Sequence, residues 1–196
     1  EVTQVKGDSE THPRLSPDDE FADFETFETN LGLKVAEDAM LKHEYARGAL
    51  KEGLRHQENL KVNPYKFGMI GSTDSHNSLV TPEEDNFFGK FVESEPSPDR
   101  TKTKLAGGRL WENWKISASG YAAVWATENT RDALFAAIKR KEVYATTGSR
   151  IRVRFFGGWD FSQTTLDAPN FEELSYKMGV PMGGDPSDHD GTAPGF

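Results

Sequence analysis

Two amphipathic helical patterns, each followed within a few residues by a short apolar run, limit the folds open to this chain. Apolar residues recur near the helical period over residues 34–60 and again over residues 130–141. Of the runs that follow, FGMIG at 67–71 is typical of a buried strand, and VYATTG at 143–148 also has the pattern of a strand. Helices that precede strands predict an α/β fold with right-handed crossovers.

Both helical segments contain further local signals. Gly48 and Gly53 lower the helix propensity of the first segment, so either tight packing requires them or the helix breaks there. Residues 128–130 offer an N-cap to the second segment. Its inward-facing side chains are predicted to be Leu134, Phe135, Ala137 and Ile138.

Three other segments have the pattern of short strands. Residues 1–5 alternate in polarity, residues 120–126 are apolar, and residues 151–156 alternate between apolar and basic side chains. The last pattern predicts one buried and one solvated face. From about residue 150 onward we expect only β-structure.

Composition excludes several classes of protein. The 196 residues include 32 acidic and 23 basic side chains, and the net charge of −9 disfavours binding to nucleic acid. The chain has no cysteine, which excludes disulfides, thiolate metal sites and cysteine nucleophiles. No stretch approaches the ~18 apolar residues of a membrane-spanning helix, so we expect no span.

One pair of residues carries recognisable chemistry. Asp74 and His76 come directly after the run at 67–71. Residues i and i+2 of a strand point to the same side, so this carboxylate and imidazole could share a Zn, Mn or Fe ion. The carboxyl ends of strands are where α/β folds place their sites. The alternative, in which Asp74 caps a turn and His76 is a surface residue, stays open, because a catalytic metal needs about three protein ligands.

The segment around this pair resembles a known family. Residues 66–76, KFGMIGSTDSH, are similar to the last metal motif of the PHP (polymerase and histidinol phosphatase) superfamily of metal-dependent hydrolases, with a threonine inserted before the aspartate. The resemblance implies a distorted, seven-stranded β/α (TIM-like) barrel with metal ions at the carboxyl ends of its strands. It also implies that Asp74 and His76 are ligands of divalent metal ions.

Other segments extend the resemblance over most of the chain. Residues 129–135 and 143–150 resemble the closing helix and strand of that barrel. Residues 6–13, KGDSETHP, and 152–159, RVRFFGGW, are similar to a bacterial branch known only as a domain of unknown function.

The resemblance is incomplete at the amino-terminal side. The superfamily opens with a His-x-His motif, and no two histidines of this chain are two positions apart. We therefore expect the chain to be the C-terminal part of a longer hydrolase. Residues 1–149 would close the barrel, and residues 150–196 would form a partial β-sandwich or sheet extension with a disordered tail. Glu1 resembles the acidic residue that ends an earlier barrel strand and is a third candidate ligand.

Four residues are candidates for binding substrate. Glu10 and His12 are two apart after a glycine-containing loop, and they could line the metal cleft or simply order a turn. Arg109 lies in the long segment 77–115, and Arg150 follows a turn rich in hydrogen-bond donors. Either arginine could bind an anionic substrate through two hydrogen bonds, although surface arginines are common.

The favoured function is a metal-dependent hydrolase of phosphoesters or similar anionic esters, with segment 77–115 as a lid or specificity element. Two alternatives stay open. The chain could be a catalytically incomplete scaffold, or residues 150–196 could form a sandwich that binds carbohydrate or a partner protein.

The expected partners follow from the same reading. We expect a small anionic substrate and no nucleic acid. A homodimer could form through exposed barrel edges. The branch that the chain resembles is often exported, and a cysteine-free chain permits a periplasmic or extracellular location.

Overall fold

The computed structural model describes most of the chain. The described residues are 1–4, 7–28, 35–76, 82–83, 86–87, 95–104, 112–113, 120–147, 150–187, 189 and 193–196. They include the helices α1 (Asp38–Leu41), α2 (Ala46–Leu60), α3 (Arg131–Lys139), α4 (Gln163–Leu166) and α5 (Phe171–Met178). The strands are β1 (Thr3–Gln4), β2 (Gly7–Asp8), β3 (Pro82–Glu83), β4 (Asn86–Phe87), β5 (Ala122–Val124), β6 (Val143–Ala145), β7 (Phe156–Gly157) and β8 (Val180–Pro181).

The strands pair as four two-stranded sheets in the order β1–β2, β3–β4, β5–β6 and β7–β8. The pairs β1–β2, β3–β4 and β7–β8 are antiparallel. The prediction of a mixed α/β protein is confirmed, and the described strands do not close into a barrel. None of the described helices has the length and apolar character needed to cross a membrane.

The chain divides into two compact units. The first comprises residues 1–122 with 145–150, and the second comprises residues 123–144 with 151–196. In the first unit, Ala36, Leu41 and Tyr45 form a buried apolar cluster against which Leu15 packs.

Helix α2 occupies the second half of the predicted helical segment 34–60. It begins at Ala46, where the first two helical N–H groups donate to the carbonyls of Ser9 and Glu10. It ends at Leu60, before Lys61 in the left-handed conformation (φ 62°). Gly48 lies close against the carbonyl of Lys42, so the tight packing that we expected at this glycine is confirmed.

Helix α3 confirms the predicted cap, but its buried face differs from the expected one. The Oγ1 atom of Thr130 accepts a hydrogen bond from the N–H of Ala133. Ala137 is buried, whereas Phe135 and Ile138, which we expected to face inward, are 66% and 48% exposed. The buried stripe is narrow and centred on Ala137, and Phe135 lies well away from it around the helix.

Two helices occur where we expected only β-structure. Helix α4 has a capping box between Ser162 and Thr165, and helix α5 has acidic residues in its first turn. The predicted strand 151–156 is reduced to β7, and Ile151 is 62% exposed. The prediction was wrong because residues 162–178 contain helix-start signals of their own, which the strand-like alternation at 151–156 does not reach.

The second unit is organised around a buried carboxylate. The side chain of Glu142 is 5% exposed and accepts hydrogen bonds from Arg140 and from the hydroxyl of Tyr176. Burial raises the pKa of Tyr176, and its bond to Glu142 acts in the same direction. Phe156 packs edge-on against Tyr176, with ring centroids 5.0 Å apart. Because Glu142 is paired, its burial is tolerated.

The segment predicted as a buried strand, residues 67–71, is not assigned as a strand. Phe67 and Ile70 are 45% and 40% exposed, so the expectation that this segment is buried was wrong for its large side chains. Backbone hydrogen bonds nevertheless join this part of the chain to the first residues. The N–H of Val2 donates to the carbonyl of Ile70 (2.8 Å), and the N–H of Ser72 donates to the carbonyl of Thr3 (3.1 Å). A strand that is buried on both faces needs a covering layer on each face. In this segment the buried positions begin only at Gly71.

Replacement of Gly71 by alanine should destabilise the first unit. A Cβ atom there would lie against the Thr3 methyl group and 2.7 Å from the Cβ of Ala145. We expect Gly71→Ala to lower the free energy of unfolding by about 1–3 kcal/mol, as overpacking does in a close-packed interior. Urea unfolding would measure this change. The control is Gly195→Ala, where the nearest atom would be 3.7 Å away, and an equal loss in both variants would contradict the prediction.

Candidate functional site

Asp74 and His76 lie next to each other at the end of segment 70–76. The Nε2 atom of His76 is 3.3 Å from the Oδ1 atom of Asp74, and the two side chains are 52% and 21% exposed, respectively. The expected proximity is therefore present, but its origin differs from the one we predicted. Asp74 has a φ of 51°, in the left-handed region, so a turn and not strand alternation brings the two side chains together.

The turn has internal support. The N–H of Ser75 donates to the Oγ1 atom of Thr73 (3.2 Å), and Thr73 is 8% exposed. Because this buried hydroxyl accepts a backbone N–H, it fixes the backbone around Asp74. Aspartate tolerates the left-handed conformation better than most residues, and non-glycine residues held in it are concentrated at functional sites.

Glu1 reaches the same end of the segment from 71 positions away. Its Oε1 atom accepts a hydrogen bond from the Ser72 hydroxyl (3.4 Å), and its Oε2 atom accepts one from the Gln4 amide (3.3 Å). Glu1 is thereby held beside a residue only two positions before Asp74. Among the described residues, no three His, Asp or Glu side chains form a group that could hold a metal ion.

The donor chemistry fits a divalent metal. One imidazole nitrogen and carboxylate oxygens are ligands that Zn, Mn and Fe ions accept. The partial exposure of His76 leaves its ring accessible to a metal or substrate from solvent. The assignment of Asp74, His76 and Glu1 as metal ligands stays a prediction.

Glu10 binds Arg47 through both of its carboxylate oxygens. The Nε and Nη2 atoms of Arg47 donate to Oε1 (2.6 Å) and Oε2 (2.9 Å) of Glu10. The Nη1 atom of Arg47 also donates to Asp19 (2.7 Å) and to the Ser16 hydroxyl (3.3 Å). This arrangement, which we call the Arg47 clamp, ties α2 to the loop that precedes it. The predicted role of Glu10 in substrate binding is not tested by this geometry, which gives its oxygens a structural partner.

The charges of the clamp have the expected effect on its members. The hydrogen bond from Arg47 lowers the pKa of Asp19, and a second one from the N–H of Phe21 acts in the same direction. The bonds to Glu10 and Asp19 raise the pKa of Arg47. Both shifts favour the charged forms of Asp19 and Arg47.

Asp8, in β2, behaves in the opposite way. Burial raises the pKa of its carboxyl, although the N–H groups of Glu10 and Thr11 donate to it and partly offset that effect. These two bonds (3.0 and 3.3 Å) shape the loop that carries Glu10 and His12.

His12 is a buried structural residue in this geometry. It is 2% exposed, and its ring lies 5.6 Å from that of Tyr45. The N–H of Arg14 donates to Nδ1 (3.1 Å), so the neutral ring must carry its proton on Nε2, which lies 3.2 Å from the carboxylate of Glu28. Both ring nitrogens are thus engaged, and the turn-ordering alternative describes what His12 does here. Its predicted contact with substrate stays a prediction.

Of the two predicted arginines, only Arg150 is among the described residues. The guanidinium of Arg150 lies over the ring of Tyr121, 5.4 Å from its centroid, and the residue is exposed. Arg109 lies outside the described residues, as does most of segment 77–115.

Sequence reasoning missed Arg47 and Asp19. The three charged members of the clamp are separated by up to 37 positions, and each by itself looks like an ordinary surface residue. No local pattern signals such a long-range triad.

The described residues thus define a mixed α/β protein with a carboxylate–imidazole pair on an ordered turn. All of the chain, residues 1–196, matches the model of a family described as "Protein of unknown function (DUF3604)", and the chain belongs to that family. No curated protein and no solved structure matches it. The membership agrees with the expected likeness to a family of unknown function.

The Arg47 clamp should contribute measurably to stability. Lysine cannot reproduce the two parallel bonds to Glu10, so we expect Arg47→Lys to lower the free energy of unfolding by about 1–2 kcal/mol. The matched control is Arg55→Lys on the same helix, where the arginine pairs with Glu52 and is 59% exposed. That change should cost measurably less, because an exposed ion pair contributes little to stability. Urea unfolding of both variants checks this, and equal losses would contradict it.

The left-handed backbone at Asp74 predicts a difference between two substitutions that both remove the carboxylate. Glycine adopts a φ of 51° without strain, whereas alanine does not. We expect Asp74→Gly to be more stable than Asp74→Ala by about 1 kcal/mol. Thermal unfolding of the two variants would measure the difference, and an alanine variant as stable as the glycine variant would refute the turn geometry.

Proposed function

We propose that this chain is part of a metal-dependent hydrolase of phosphoesters or similar anionic esters, built on a PHP-type β/α barrel. The observation that carries the proposal is the contact between Asp74 and His76 on an ordered turn, with Glu1 held at Ser72 beside it. An acid and an imidazole on a turn at the end of a strand-like segment are what a metal motif of that superfamily requires.

The residues at and beside the turn would have separate roles in holding the metal ion. Asp74 and His76 would hold the ion, and the Ser72 hydroxyl would orient Glu1 toward the same end. Thr73 and Ser75 would keep the turn in its left-handed form. A bound divalent ion supplies the chemistry of ester hydrolysis by lowering the pKa of a water molecule and polarising the ester oxygen. Remaining ligands would come from parts of the protein other than the described residues.

Two strand-like segments of the first unit support the barrel. The bonds from Val2 to Ile70 and from Ser72 to Thr3 advance in the same direction along both segments, as in parallel pairing. Gly71 adjoins Ala145 on the side of β6. The N–H of Thr146 donates to the carbonyl of Tyr121 (2.9 Å) and that of Trp125 to the carbonyl of Glu142 (3.0 Å), so β5 and β6 run antiparallel and the barrel is supported only by the pairing of the first residues with segment 70–72. Parallel neighbours joined through helices are the building pattern of β/α barrels.

A catalytically incomplete scaffold is the second candidate. It is favoured by the finding that the described residues contain no group of three metal-ligating side chains. The binding-module alternative has less support, because α4 and α5 occupy part of the segment in which it needs a β-sandwich.

The expectations about substrate, oligomeric state and location are likewise proposals. The substrate would be a small anion, and exposed strand edges would allow a homodimer. The location would be periplasmic or extracellular.

Metal binding separates the two candidates. In the full-length protein we expect Asp74→Gly and His76→Ala each to weaken zinc or manganese binding by more than about 100-fold, beyond the loss typical of outer-shell partners. Metal content after dialysis and metal-dependent hydrolysis of p-nitrophenyl phosphate are the measurements. His56→Ala on α2 is the control and should retain both properties.

The outcomes are distinct. Unchanged metal content in both variants would reject the ligand assignment. A wild-type protein that binds no metal would reject the hydrolase and support the scaffold.

A further inference from the structure

A cleft of about 420 Å³ opens beside the first turns of α2. Its walls come from the loop at residues 11–16, from residues 42–43 and from the face of α2 that begins at Arg47. Neither Asp74, His76 nor Glu1 lines it, so the cleft is separate from the proposed metal site. Its size is in the range of small-molecule sites, about 300–1,000 Å³.

The helical wall of the cleft is cationic. Arg47, Lys51 and Arg55 are spaced four residues apart and therefore share one face of α2. Lys42 joins them because Gly48 has no side chain, which allows the carbonyl of Lys42 to approach the helix closely. In an acidic chain of net charge −9, this grouping of positive side chains in a concave surface is unexpected.

Two of these cations are uncommitted within the described part of the chain. Arg47 is neutralised by Glu10 and Asp19, and Arg55 pairs with Glu52. The ammonium groups of Lys42 and Lys51 form no hydrogen bond or ion pair with any described residue. The four cationic side chains are thus matched by three carboxylates, Glu10, Asp19 and Glu52. The group as a whole has one positive charge in excess, and its unpaired members are the ammonium groups of Lys42 and Lys51.

The opposite wall offers a hydroxyl donor. Thr11 Oγ1 and Ser16 Oγ are 2.9 Å apart, so one of their two hydrogens lies between them. Arg47 also donates to the Ser16 oxygen (3.3 Å) and so occupies one acceptor position of that hydroxyl. The second hydroxyl hydrogen has no acceptor among the described residues and can be directed to a ligand. The Arg47 clamp holds this wall in place, which reduces the entropic cost of ordering it on binding.

We propose that this cleft binds a phosphate group, between the ammonium groups of Lys42 and Lys51 and with a hydrogen bond from the Thr11–Ser16 pair. A phosphate carries about two negative charges and several acceptor oxygens, and it is suited to two ammonium groups and a hydroxyl. It could be inorganic phosphate or the phosphate of a small organic ester, since the cleft has room for either. Binding needs no metal, and the inference goes beyond the proposed hydrolase.

The test is calorimetric titration of the full-length protein with inorganic phosphate and, separately, with glycerol 3-phosphate. EDTA is present, and sodium chloride keeps the ionic strength constant. We expect saturable binding of at least one of the two, weakened on the order of tenfold in Lys42→Ala/Lys51→Ala, as the loss of two exposed ion pairs implies. The control variant Lys139→Ala/Lys177→Ala removes the same charge from exposed helical positions of the second unit and should bind as the wild type does.

The results decide the proposal without reference to the metal site. Tighter binding of glycerol 3-phosphate than of phosphate would identify an ester as the ligand, and the reverse order would identify the free ion. Absence of saturable binding by the wild type, or equal weakening in the two double variants, would overturn the inference. Because EDTA removes divalent ions, loss of metal-dependent hydrolysis has no bearing on this outcome.

Discussion

The geometry of the candidate metal site depends on the attachment of the first four residues to segment 70–72. Two backbone hydrogen bonds hold these segments side by side, and Gly71 allows them to approach because it has no side chain to separate Thr3 from Ala145. That contact places Glu1 at Ser72, and the chain then turns through the left-handed Asp74 to bring its carboxylate to His76. The position of Glu1 beside the Asp74–His76 pair therefore depends on one close approach between segments distant in sequence.

The Arg47 clamp has a comparable role elsewhere in the first unit. A single guanidinium joins two carboxylates and a hydroxyl from the loop at 10–19 to the start of α2. Arginine suits this position because its planar, permanently charged group donates in several fixed directions at once. The clamp engages both carboxylate oxygens of Glu10, while the ammonium groups of Lys42 and Lys51 nearby have no carboxylate partner among the described residues. The cleft beside α2 is therefore lined by unpaired cationic groups.

The two candidate sites are chemically different. The turn at 72–76 presents oxygen and imidazole ligands of the kind that bind divalent cations, whereas the cleft beside α2 presents ammonium groups and a hydroxyl. A protein that acts on anionic esters has a use for both kinds of surface. Because the chain belongs to a family of unknown function, the role of each candidate site is argued from the chemistry of its own residues.

The sequence by itself determined two of the helices and the pairing of residues 74 and 76. Helical periodicity located α2 and α3, Thr130 marked a helix start, and the spacing of Asp74 and His76 predicted that they would meet. Only the tertiary structure decided that a left-handed turn brings them together, that His12 is buried with both nitrogens engaged, and that Glu10 belongs to Arg47. Periodicity and capping are short-range effects that a sequence displays directly. The partners of a charged or buried polar side chain are set by which distant segments pack together, and no local pattern of residues records that choice.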